Sequence, residues 1–80
     1  MSYTHTVVVS CFDNQPGYNL YCEPEGAVQE VRPGDVLTIR FETTSVPTLE
    51  LSRVEDGIVL GRYNDGKVTI EDKAGRPLTW

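Results

Sequence analysis

An all-β fold, a small antiparallel sandwich of six or seven short strands, is what this sequence predicts, with a partly open small barrel as the alternative. Two patterns carry that expectation. Apolar residues alternate with period two along most of the chain and no window shows a helical period. Turn residues, above all Gly and Pro, interrupt the alternation at short, regular intervals. The chain has 80 residues, enough for one domain spanning residues 1–80, because compact domains start near ~50 residues. At this size folding removes only about 60–65 % of the surface from water, so the core is small.

The elements follow in order. Strands are expected at residues 6–12, at Tyr18–Glu23, at Ala27–Val31 and at 36–42, then at 48–54, 58–63 and 67–72, with a short last piece at 78–80. In VLTIRFE, Leu37, Ile39 and Phe41 fall on one face and Val36, Thr38, Arg40 and Glu42 on the other, the signature of a strand with one wet face. The preceding RPGD reads as a type II turn, with Pro33 presetting φ and Gly34 supplying the positive φ that follows. Gly57, Gly66 and Gly75 recur nine apart in EDG, NDG and KAG. That spacing suits a meander of five- or six-residue strands joined by three-residue loops. In the NDG loop this register sets Leu60 opposite Ile70. Pro47 marks a bend or an edge, since proline cannot donate within a central ladder. The expected core is Val7, Val9, Leu20, Leu37, Ile39, Phe41, Leu49, Leu51, Leu60, Val68 and Ile70. Trp80, at the very end, places the last strand against the core or a partner.

The run VQEVRPGDVLTIRF, residues 28–41, resembles the strand, PGD turn and strand of cupredoxin-like and other immunoglobulin-like sandwiches. It covers 14 of the 80 residues and supports the sandwich. The copper ligands of the former and the Cys…Trp…Cys framework of the latter are absent, because the single Trp80 follows both cysteines.

Those two cysteines bracket the run SCFDNQPGYNLYC. A two-residue hairpin at Pro16 and Gly17 would set Cys11 opposite Cys22, but proline cannot adopt the positive φ of the turns that match strand twist. A four-residue loop over residues 14–17 instead pairs Cys11 with Leu20 and Val9 with Cys22. The sulfurs' strands then hold them on a diagonal roughly 7 Å or more apart, at the limit of what a disulfide spans. One face of this hairpin carries Val7, Val9, Cys11, Leu20 and Cys22, and the cysteines read there as small buried thiols. A structural disulfide and a reactive or metal-bound thiol are the alternatives.

A metal centre lacks ligands. His5 is the only histidine, and six strand residues put it about 20 Å from Cys11. A blue-copper centre wants two histidines. Aligning Asp65 and Gly66 with an EF-hand loop puts Gly61 and Tyr63 at coordinating positions, so no calcium loop is expected either.

Charge and composition restrict function further. Twelve acids against seven bases give a net charge of −5, which disfavours binding driven by phosphate neutralisation, so no nucleic-acid partner is expected. Every base lies from Arg32 onward, leaving an acidic, aromatic-bearing first third. The N-terminal MSYTHTVVVSCF has no basic leader and no membrane-length apolar run. The expected location is therefore the cytoplasm, with a processed secreted domain as the alternative. Catalysis is not expected: His5 has no nucleophile at a recognisable elbow, and Glu55 with Asp56 and Glu71 with Asp72 read as solvated charges. No cofactor is expected.

What remains is recognition. The hairpin's other face carries Val8, Ser10, Phe12, Asn19, Tyr21 and Glu23, and its loop adds Asn14, Gln15 and Tyr18. Of these, Phe12, Asn14, Gln15, Tyr18, Asn19 and Tyr21 are the candidate contact residues, aromatic bodies with amide and hydroxyl handles of the kind recognition surfaces use. The sequence therefore predicts a non-enzymatic protein-binding or adaptor module. A small-molecule or saccharide binder using the same groups is the alternative, and self-assembly through a sheet edge is a further mode of partnering.

Overall fold

Pairing turns the alternating runs into two sheets. The computed structural model describes residues 2–46, 48–62 and 66–80, among which eight strands and no helix occur: β1 (Tyr3–Ser10), β2 (Tyr18–Glu23), β3 (Ala27–Val31), β4 (Val36–Thr43), β5 (Leu49–Val54), β6 (Gly57–Arg62), β7 (Lys67–Glu71) and β8 (Pro77–Leu78). One sheet has the order β1-β4-β7-β8 and the other β3-β2-β6-β5. They pack as a small sandwich and do not close into a barrel. All pairings are antiparallel except β2 with β6.

The apolar faces are those the alternation indicates, but several partners differ. β1 and β2 form no hairpin. β1 pairs with β4 along its whole length, Tyr3 opposite Thr43 through Ser10 opposite Val36, and β2 lies in the other sheet between β3 and β6. The register that set Cys11 against Leu20 therefore does not exist. Cys11 stays tied to the first sheet, its N–H donating to Asp35 O at 3.1 Å and its carbonyl accepting from Gly34 N–H at 2.8 Å. Residues 12–17 then cross to the second sheet. The pairing with β4 sets Val7 against Ile39 and Val9 against Leu37, an apolar match that the neighbouring strand does not better.

The expected meander is also replaced. β5 and β6 are joined by only two residues, Glu55 and Asp56, with Val54 opposite Gly57. β7 and β8 are joined by five, residues 72–76. β6 and β7 lie in different sheets, so Leu60 meets Leu51 and Cys22 while Ile70 meets Ile39 and Leu78. Asn64 and Asp65 of NDG, and Pro47, lie outside the described residues. The RPGD turn forms as expected: Gly34 has φ +86° and Asp35 N–H donates to Arg32 O at 2.9 Å. Gly57 opens β6, where a Cβ would stand 1.8 Å from Asn19 O. Its role is close backbone approach between the parallel strands, which brings Asn19 N–H to within 2.9 Å of Asp56 O.

Val9, Cys11, Leu20, Cys22, Val31, Leu37, Ile39, Phe41, Leu60 and Ile70 form the buried core, with Val7, Leu49 and Val68 packed against it. Both cysteines are buried free thiols, and no disulfide joins them. Leu51 departs from expectation. It pairs with Leu60 on the core-facing side of its sheet, yet it is 66 % exposed, because β5 is an edge strand that the facing sheet does not cover. Trp80 packs down, its ring edge-on to Phe41 with centroids 5.4 Å apart and its Nε1–H donating to Glu25 Oε1 at 2.8 Å. Arg62 pairs with the other oxygen of Glu25, and Gln29 Nε2 donates to Thr79 O.

Candidate recognition surface

The six residues singled out in the sequence do not make one surface. Phe12, Asn14 and Gln15 lie exposed on the crossing segment, Phe12 at 77 %. Tyr18 is half-buried and faces inward, its hydroxyl donating to Ser10 O at 2.6 Å. That bond joins the two sheets, and burial raises the Tyr18 pKa above its usual value. Tyr18 is therefore largely a structural residue. Asn19 and Tyr21, two apart on β2, share the outer face of the second sheet, whereas Val8 and Ser10, once placed beside them, belong to the outer face of the first.

Asn19 and Tyr21 converge on Asp56, which by sequence alone reads as a solvated turn charge. Asp56 Oδ2 accepts from Tyr21 OH at 2.6 Å and from Asn19 Nδ2 at 3.3 Å. Asn19 Nδ2 also lies 3.5 Å from Tyr21 OH. The bond from Tyr21 holds the Asp56 carboxyl below the usual carboxylate range, and the same bond pushes the Tyr21 hydroxyl up. The group ties the β5–β6 turn to β2. Its only advance signal was an acid beside a turn glycine, which any loop can carry.

Beside this group a groove of about 990 Å³ runs across one end of the second sheet. The register sets Tyr18 against Val31, Asn19 against Gly57 and Gly57 against Val54, so these residues share that end. The floor is apolar, from Tyr18, Leu51 and Ile58. Arg53 and Asp56 supply charge of both signs. Of the predicted residues, Tyr18 and Asn19 border it, and Leu51 and Arg53 were missed. Alternation marks Leu51 as core-facing; nothing in the sequence states that the facing sheet stops short of it.

A second groove, of about 450 Å³, lies between β3 and the residues 72–76. Its cations are engaged: Arg32 with Glu30, Arg76 with Asp72, and Lys73 Nζ with Gly34 O at 3.0 Å. Among the described residues no group of three or more His, Cys, Asp or Glu side chains is placed to hold a metal ion. Among the same described residues no helix is long and apolar enough to cross a membrane. No protein-family model, curated protein or solved structure is found to match the chain.

Proposed function

We propose that this chain is a non-enzymatic protein-binding or adaptor module whose contact surface is the groove at the Tyr18 end of the second sheet. The observation that carries this reading is Leu51, an apolar side chain on the core-facing side of its sheet that remains 66 % exposed. Large apolar side chains left uncovered on a concave, polar-rimmed surface are a mark of interaction sites. The rim suits a peptide or protein segment that offers an apolar side chain flanked by polar ones. Asn19 and Tyr21 support the groove from the outer face through Asp56, and Phe12, Asn14 and Gln15 stand on the crossing segment as a separate patch.

The test is capture from lysate of the source organism by wild type and by Leu51→Asp. Because Leu51 is exposed, the substitution is expected to leave the fold intact, within about 0.5 kcal/mol. A protein retained by wild type and lost with Leu51→Asp supports the reading, and equal retention by both sinks it.

The groove's volume also falls within the range of small-ligand sites, which supports a small-molecule or saccharide binder as the second reading. A ligand that binds only the folded state raises its melting temperature. A flat response across sugars and metabolites would remove this alternative.

A further inference from the structure

Four strands lie at sheet edges: β1 and β8 in one sheet, β3 and β5 in the other. Natural sheets protect such edges with charge, proline, bulges or shortness, because an open edge is a template for another strand. Three of these edges are protected. β8 has two residues, one of them Pro77; β3 carries Glu30 and runs into Arg32 and Pro33; β5 carries Glu50 and Arg53. β1, YTHTVVVS, differs. It is eight residues long, holds no Asp, Glu, Lys, Arg, Pro or Gly, and pairs with β4 without a bulge.

We propose that β1 is the interface through which two copies of this chain assemble, pairing antiparallel about a two-fold axis at Thr6. The inference goes beyond the groove and does not depend on it.

Backbone polarity selects the register. Cys11 directs its N–H and C=O toward the β4 side, and alternation along an antiparallel ladder then points those of Thr4, Thr6, Val8 and Ser10 to the open edge. The Ser10 carbonyl agrees, since it accepts the Tyr18 hydroxyl from β2 of the other sheet. A two-fold axis that relates antiparallel strands must set one residue opposite itself. An axis at Val7 would pair Thr4 with Ser10, whose carbonyl is already engaged. An axis at Thr6 uses Thr4, Thr6 and Val8, which are free to bond along that edge.

Side-chain chemistry favours a second copy as the occupant. About the Thr6 axis, Thr6 meets Thr6, Thr4 meets Val8, His5 meets Val7 and Tyr3 meets Val9. Threonine pairs and aromatic pairs with β-branched residues are among the stabilising cross-strand combinations. No two like charges meet, although the chain carries −5 overall. Val8, 61 % exposed, gains a cross-strand neighbour. The product is one eight-stranded sheet with two-fold symmetry, the commonest arrangement of soluble oligomers.

Sedimentation equilibrium of the full chain decides the matter, with Thr6→Lys as the variant. Wild type is expected to dimerise. Thr6→Lys sets two like charges face to face at the axis and should weaken the dimer at least about tenfold. Its melting temperature as a monomer should hold, because Thr6 is exposed. Should Thr6→Lys fail to fold, Val8→Lys puts a charge on the same edge and gives the same comparison. A wild type that stays monomeric at the highest concentration it tolerates overturns the proposal and leaves the edge to a strand from another protein. A dimer undiminished by the substitution overturns it equally, because the interface then lies elsewhere.

Discussion

Gly57 and Gly61 stand four apart on β6 and differ in what surrounds them. A Cβ at Gly57 would meet Asn19 O at 1.8 Å, while at Gly61 the nearest atom, Glu50 O, is 4.0 Å away. Gly57→Ala is therefore expected to cost about 3 kcal/mol through forced separation of the parallel strands. Gly61→Ala should change stability by less than about 0.5 kcal/mol. Chemical denaturation of both variants checks the contrast, and equal effects would contradict it. Cys22 gives a second expectation at this scale. Burial first, then the nearby Glu25 and Glu23, push its thiol up to about 11 from 9.0. Since the folded value is raised, the stabilisation is complete below pH 9 and is lost as pH rises from about 9 toward 11. Below both values the native state holds about 100-fold less thiolate than the unfolded chain, as two pH units imply, so alkylation of Cys22 at pH 8 should be slower by at least that factor. Equal rates in native and denatured protein would contradict a buried thiol. At single residues the sequence was informative: alternation identified Leu20, Leu37, Ile39, Phe41, Leu60 and Ile70 as core. It failed at Leu51, where exposure depends on how far the opposite sheet extends.

Between elements, the tie at the C-terminus is the most readily tested. Trp80 Nε1–H bonds Glu25 at 2.8 Å, and this bond first, with help from Arg62, holds the Glu25 carboxyl below its usual 4.5. A lowered folded value means that the contact's contribution is present above about pH 4.5 and is lost as pH falls through that lower value. Trp80 is the single tryptophan, so its fluorescence should be constant between pH 6 and 8 (roughly the range in which carboxylates stay ionised) and shift red on acidification. Glu25→Gln should remove that acid shift; its persistence would assign the shift to another group. Pairing partners were the least legible feature of the sequence. Matching Leu60 to Ile70 presumes that strands adjacent in the chain pair, whereas β1 finds β4, β2 finds β6 and β4 finds β7. Local turn chemistry could be read where one turn decides the geometry, as in RPGD. It could not be read across residues 12–17, where the chain leaves one sheet for the other and apolar matching between distant strands sets the outcome.

At the scale of the whole molecule, two four-stranded sheets leave one end of the β3-β2-β6-β5 sheet uncovered beside an exposed Leu51. The same architecture separates Asn19 and Tyr21 from Val8 and Ser10, which the sequence had placed on one face. Recognition chemistry was thus visible in the sequence as residue types, and its location was not, because location follows from sheet membership. The groove is the feature that a protein-binding role rests on, and a photo-crosslinking residue at position 51 interrogates it directly. In lysate of the source organism, irradiation should join the chain to a second polypeptide, and excess unlabelled wild type should suppress the adduct. Absence of any adduct, or one formed solely between two copies of this chain, would contradict a groove that receives a different protein.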